Sequence, residues 1–157
     1  MNGGIEEGMA QNIKQLQHAP IGVFDSGVGG LTVAREIMRQ MPNEKIVYFG
    51  DTARLPYGSK SKDTITRYSR QIVRFLETQD VKAIVVACNT ASAYALDSLE
   101  KEIQMPIIGV VKPGAKVAAE VTQNGKIGVI GTEGTIGSQI YTEYIHNINP
   151  DARVIGK

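Results

Sequence analysis

The chain has 157 residues, 42% of them apolar, and 17 Lys and Arg against 16 Asp and Glu give it a formal net charge of +1. That length can bury a core, and without a long basic run there is no electrostatic case for nucleic acid or for an anionic membrane surface. No apolar stretch approaches the roughly 20 residues that span a bilayer, the start lacks the apolar segment of a secretory signal, and a single cysteine forms no internal disulfide, so a soluble cytoplasmic protein is expected.

Residues 1–19, with Gly3, Gly4 and Gly8 among polar residues, read as a flexible tail in which Ile13 and Leu16 are the only hint of a helix. Organisation begins at Pro20. Ile21-Gly22-Val23-Phe24 is a short apolar strand that runs into Asp25-Ser26-Gly27-Val28-Gly29-Gly30. Val28, Leu31, Ala34, Ile37, Met38 and Met41 then fall on a helical period closed by Pro42. A second strand, Ile46-Val47-Tyr48-Phe49, leads into a polar loop from Gly50 to Ser59. Ser61 is a fitting N-cap for the next helix, Asp63 lies in its first turn, and Ile65, Tyr68, Ile72, Phe75 and Leu76 form its apolar face.

Val81 to Ala87 predicts a third strand, and Thr90 to Gln104 a third helix. A fourth strand is expected from Pro106 to Val111, a short helix from Gly114 to Val121, and a turn at Asn124-Gly125. Lys126 to Ile130 reads as a fifth strand, followed by Gly131-Thr132-Glu133-Gly134-Thr135 and a helix carrying Ile140, Tyr141, Tyr144 and Ile145. After a turn at Asn149-Pro150-Asp151, Ala152 to Ile155 looks like a strand barely begun. Strands alternating with helices at this spacing predict an α/β fold, a three-layer α/β/α arrangement with a mostly parallel sheet.

In such sheets ligands bind outside the carboxyl ends of the strands. The unusual residues of this chain fall there: Asp25-Ser26 after the first strand, Asp51 to Gly58 after the second, Cys88-Asn89-Thr90 after the third, and Thr132 and Thr135 after the fifth. A strand that delivers Cys88 to the first turn of a helix favours a thiolate, because a helix N-terminus carries partial positive charge and unpaired N–H groups. The competing role for a lone cysteine is that of a small buried hydrophobe.

The glycines of Asp25–Gly30 match neither a P-loop nor a dinucleotide fingerprint, and a tight turn with close helix packing explains them. His18 and His146 lie far from Cys88 in sequence, so no metal site and no Cys-His pair is expected. Arg54 and Lys60 read as solvated loop charges, and Tyr68, Tyr141 and Tyr144 as packing residues. Ile21-Gly22-Val23-Phe24 also matches Ile127-Gly128-Val129-Ile130, at an offset of 106 residues (21 to 127). Such a repeat suggests two similar halves with a site between them.

Three stretches together resemble the glutamate racemases: Val23-Phe24-Asp25-Ser26-Gly27-Val28-Gly29-Gly30-Leu31, then Gly50-Asp51-Thr52-Ala53-Arg54-Leu55-Pro56-Tyr57-Gly58, then Ala87-Cys88-Asn89-Thr90-Ala91-Ser92. Pro113-Gly114-Ala115 and Gly131-Thr132-Glu133-Gly134-Thr135-Ile136 are similar to that family's linker and second-domain start. The resemblance implies a cofactor-independent isomerase that interconverts L- and D-glutamate, supplying D-glutamate for peptidoglycan, cell wall biogenesis and cell shape. It implies two cysteines on opposite faces of the substrate Cα, of which Cys88 matches the first and Asp25 matches the acid assisting it. Ser26, Tyr57, Gly58, Asn89, Thr90, Thr132 and Thr135 match substrate-binding positions. It further implies glutamate as a small-molecule partner, no metal, and a homodimer for the full-length form.

The family's second catalytic motif, Cys-Thr-His, is absent from these residues. The expectation is therefore the first domain of a pseudo-twofold racemase (20–112) and a truncated start of the second (113–157), unable to racemise alone. Two other classes fit the same residues: another Cys-dependent racemase or decarboxylase of this fold, and a non-catalytic regulatory half-protein that binds an amino acid or a partner enzyme.

Overall fold

The computed structural model describes residues 18–157, so the expected N-terminal tail falls, except for His18 and Ala19, outside the described residues. In chain order the elements are β1 (Ile21–Asp25), α1 (Leu31–Gln40), β2 (Ile46–Gly50), a 3-10 turn (Thr52–Arg54), α2 (Lys62–Glu77), β3 (Ala83–Val86), α3 (Asn89–Tyr94) and α4 (Leu96–Glu102). They continue with β4 (Ile107–Gly109), α5 (Val111–Val121), β5 (Lys126–Val129), α6 (Glu133–Gly137), α7 (Ile140–Ile148) and β6 (Arg153–Gly156). No helix among the described residues is long and apolar enough to cross a membrane.

Four strands form one parallel sheet in the order β2-β1-β3-β4. Alternation along its strands divides the core into two layers. Phe24, Ile84 and Val86 face Ile65, Ile72 and Leu76 of α2 and Ala91, Leu96 and Leu99 of α3 and α4. Ile21, Val23, Val85 and Ala87 face the opposite way, onto Ala34, Val33 and Ile37 of α1. Both faces of the sheet are covered, as a parallel sheet requires, and the expected three layers are present.

The helices show where pattern reading and packing diverge. Ser61 caps α2 as expected, its Oγ accepting the Thr64 N–H at 3.3 Å. Of the apolar stripe predicted to bury α1, only Ala34 is fully buried, while Val28, Leu31, Met38 and Met41 are exposed. Phe75 is exposed too, although its ring rests 5.3 Å from that of Phe49. The single helix expected from Thr90 to Gln104 is two, α3 and α4, interrupted at Ala95 where φ is −110°. The segment after β5 is likewise two helices, joined at Gln139 in the left-handed region with φ +59°.

Helix α5 starts at Val111, three residues before the expected Gly114, with Pro113 in its first turn where a missing N–H costs no hydrogen bond. Beyond it β5 pairs in parallel with β6, from Lys126↔Arg153 to Val129↔Gly156, so the barely begun strand is a full partner. Ala115 and Ala119 of α5 and Ile145 of α7 cover Ile127 and Ala152 on one side of this small sheet. The repeat of β1 by β5 ends with the strand: Ile130 is 92% exposed, and α6 begins two residues after Gly131, whereas α1 begins six after Asp25.

The two core environments predict opposite responses to truncation. Ile72→Ala, at a position 1% exposed, is expected to cost about 2–5 kcal/mol. Met38→Ala, on the open face of α1, is expected to change stability by less than about 0.5 kcal/mol. Urea unfolding followed by circular dichroism measures both.

Candidate active site

In the sheet order β2-β1-β3-β4 the chain turns one way from β1 to β2 and the other way from β1 to β3, which creates a crevice at their carboxyl ends. The register Ile21↔Ala83 to Phe24↔Val86 is fixed by apolar side chains on both faces. It carries Asp25, one residue on, and Cys88, two residues on, to the same rim. A cavity of about 500 Å³ opens there, lined by Asp25, Ser26, Cys88, Asn89, Thr90 and Thr132 among others.

Asp25 is buried, and its Oδ2 accepts the N–H groups of Gly27 (3.1 Å) and Gly30 (3.0 Å). Its Oδ1 accepts no hydrogen bond among the described residues. Cys88 is 5% exposed and is the N-cap of α3, its Sγ accepting the Ala91 N–H at 3.5 Å. That bond, together with Ser26, favours the thiolate, but burial and the negative charge of Asp25 oppose it. Burial is the largest influence, and the thiol is pushed up rather than down. The start of α3 favours the thiolate, as expected from sequence, but α3 has only six residues and burial outweighs that help.

The segment after β5 reaches this rim through hydroxyl groups. Thr90 Oγ1 lies 2.9 Å from Thr132 Oγ1 and 3.4 Å from Thr135 Oγ1, and the last two are 3.1 Å apart. Thr132 also caps α6 by accepting the Thr135 N–H at 3.3 Å. Tyr141 Oη donates to Asn89 Oδ1 at 2.7 Å, so this tyrosine, read from sequence as packing, bridges α7 and the start of α3. Burial pushes its hydroxyl up.

Gly58 completes the seam. Its carbonyl accepts the Gly134 N–H at 3.0 Å, and a Cβ at Gly58 would lie 2.4 Å from Thr132 Cβ, too close for any side chain.

Tyr57 does not present its ring to the cavity. It is 2% exposed and its hydroxyl donates to Asp51 Oδ2, a buried carboxylate that also pairs with Arg54 Nε at 2.7 Å. Burial, followed by the bond to Asp51, pushes the Tyr57 hydroxyl well up. Arg54 stacks 4.2 Å from the Tyr68 ring centroid and donates to Gln71 Oε1 at 2.6 Å, so it is not the solvated charge expected. Lys60 is also engaged, donating to the Pro56 carbonyl at 2.8 Å.

The family of proteins that shares this arrangement is clear from sequence comparison. Residues 21–157 match the family model described as Asp/Glu/Hydantoin racemase. The chain belongs to that racemase family. It is 57% identical over 135 residues to a glutamate racemase of Geobacter metallireducens, covering 86% of this chain and 50% of that protein. The structure of a glutamate racemase from Bacillus anthracis is similar at a TM-score of 0.86 and 50% identity, over 88% of this chain and 52% of that one. A glutamate racemase from Francisella tularensis solved with D-glutamate matches at 0.81 and 45% identity, over 88% and 52%. The chain thus spans about half the length of the relatives it matches.

Among the residues expected to form the racemase site, Asp25, Ser26, Cys88, Asn89, Thr90 and Thr132 share the cavity wall. Thr135 stands behind Thr90 and Thr132, and Tyr57 and Gly58 belong to the loop beneath them. Reading the sequence missed three supports. Ser92 Oγ ties the third strand to the fourth by donating to the Val86 carbonyl at 3.0 Å and accepting the Val110 N–H at 3.2 Å. Tyr141 anchors Asn89 and Asp51 anchors Tyr57. Only Asp51 had a signal, its place directly after a strand.

This geometry sets two expected outcomes. Gly58→Ala should destabilise the seam by about 1–3 kcal/mol and reduce hydrogen-exchange protection of the Gly134 amide. Because the folded thiol is pushed up, Cys88 should react with iodoacetamide more slowly near neutral pH than it does in the urea-unfolded chain. Its rate should keep climbing beyond the ordinary thiol range.

Proposed function

We propose that this chain is the part of a glutamate racemase that carries the first of two proton-transfer groups. The observation that carries the reading is the shared cavity of Cys88 and Asp25 at the ends of neighbouring strands, in a chain with glutamate racemases as relatives at 50–57% identity. Cys88 as a thiolate takes the Cα proton of glutamate: the S–H bond forms as the Cα–H bond breaks, and the electron pair stays on Cα. Asp25, with Oδ1 uncommitted, assists that proton's movement. The substrate's own ammonium group, entering beside two acidic side chains, supplies the positive charge that offsets the cost of a buried thiolate.

Substrate is held by Ser26, Asn89 and Thr90 from the first unit and by Thr132 and Thr135 from the second. Hydroxyl and amide groups in fixed positions stabilise the charge that develops on the substrate. Since the Tyr57 ring is turned onto Asp51, the Tyr57-Gly58 segment contributes its main chain. Inversion needs a second acid on the opposite face of Cα. The chain has one cysteine, so that partner comes from the part of the racemase that residues 1–157 do not span. The division into units at 20–112 and 113–157, the use of glutamate without a cofactor, cytoplasmic action, a homodimer of the complete enzyme and the supply of D-glutamate for peptidoglycan belong to the same reading.

The 157-residue chain, purified free of any complete racemase, is expected to bind glutamate and protect Cys88 from iodoacetamide without racemising it. In deuterated water any exchange at Cα should be slow, one-sided and abolished by Cys88→Ala. Sustained turnover of both enantiomers, lost in Cys88→Ala, would overturn the claim that the second acid is supplied from elsewhere.

A further inference from the structure

Tyr48 stands close to the cavity, yet its hydroxyl neither lines the cavity nor joins the threonine seam. It lies in β2 opposite Val23 and packs with Ile21, Val23, Ala34 and Ala87, a setting in which phenylalanine would serve equally well. Its hydroxyl, however, donates to the Gly27 carbonyl at 3.0 Å, a bond between residues 21 apart in the chain. Gly27 is thereby held on both sides, because its N–H is the donor to Asp25 Oδ2 at 3.1 Å. The third wall is Gly50, where a Cβ would lie 2.4 Å from the Gly27 oxygen and 3.3 Å from Tyr48 Cε1. The Asp25–Gly30 loop therefore rests directly on β2, and Tyr48 supplies the only side-chain donor to the Gly27 carbonyl among the described residues.

We propose that Tyr48 is a positioning residue of this site: its hydroxyl, bound to the Gly27 carbonyl, fixes the loop that sets the Asp25 carboxylate beside the Cys88 thiol. This rests on the reading of Cys88 and Asp25 as the working pair. The hydroxyl remains a donor throughout the range in which the pair works, since burial first, and the charges of Asp25 and Cys88 after it, push it up to about 12. The titratable groups that act on or feel Cys88 are Asp25 at the end of β1, Tyr48 on β2 and Tyr57 in the loop beyond β2.

The test is the pH profile of Cys88 alkylation by iodoacetamide in the 157-residue chain, for Tyr48→Phe, Asp25→Asn and the double variant, with thermal melts to establish folding. Tyr48→Phe keeps the ring, so the fold should persist. With the loop released, the Asp25 charge is no longer held beside the thiol, so the thiolate is less disfavoured than in the fixed site. The profile should then move to lower pH, with a severalfold faster reaction near neutrality. In the Asp25→Asn background the same substitution should move the profile far less, because its effect acts through that carboxylate. A profile unmoved or raised by Tyr48→Phe, or shifted equally in both backgrounds, overturns the proposal. If Asp25→Asn does not fold, the Tyr48→Phe profile alone decides. Failure of the racemase reading looks different: glutamate then protects Cys88 in none of the variants, whatever their profiles.

Discussion

The pairing of β1 with β3 is the constraint on which the rest of the site depends. Four residue pairs in parallel register, closed by the Ala87 N–H donating to the Phe24 carbonyl at 2.8 Å, leave one arrangement for the residues at the carboxyl ends of the two strands. A slip of one residue would turn Val23 and Phe24, and Val85 and Val86, onto the wrong layers of the core. The cost of that exchange, several buried apolar side chains at roughly 1.5–3 kcal/mol each, is what holds Asp25 and Cys88 to a common rim. Precision at the site is thus an outcome of hydrophobic packing beneath it.

Above that rim the environment is arranged by polar contacts that leave few loose ends. Asp51 would be an expensive buried charge on its own, but Tyr57 and Arg54 both satisfy it, and the stacking of Arg54 on Tyr68 ties the group to α2. The outcome is a loop in which Asp51 and Tyr57 are committed inward. Cys88 is the counterexample. Burial outweighs the long Ala91 N–H contact and the help of Ser26, and the thiol is pushed up. A group held in that state responds strongly to the charge of whatever enters beside it, which fits the proton-carrying role proposed for Cys88.

Small, directional contacts join the segment after β5 to the larger sheet and its loops. Three threonine hydroxyls, the Tyr141–Asn89 bond and the Gly58–Gly134 bond all lie along one seam. Each hydrogen bond contributes only about 0.5–1.5 kcal/mol net, but each also fixes an angle. The seam therefore determines where Thr132 and Thr135 stand relative to Cys88. The small sheet behind it, two parallel strands covered by α5 and α7 on one side, has a far smaller core than the first unit.

Much of this architecture is legible in the order of residues. Apolar runs of strand length, amphipathic periods of helix length and Gly-rich polar breaks specify a parallel α/β sheet, because both periodicities are local properties of the chain. The rule that ligands collect at strand carboxyl ends then singles out Asp25, Cys88 and Thr132 before any coordinate is known. Other features depended on distance in space. The bare face of α1 carries the same apolar stripe as a buried helix, and only packing in space decides that Ala34 is fully covered and Val33 and Ile37 partly so. Tyr141, Tyr48 and Asp51 look like packing or loop residues until partners 52, 21 and 6 positions away come within reach. The ionisation of Cys88 was undecided by sequence for the same reason. A helix start is visible in a string of residues, but the desolvation that outweighs it is created only when the sheet and the loops around it close on the thiol.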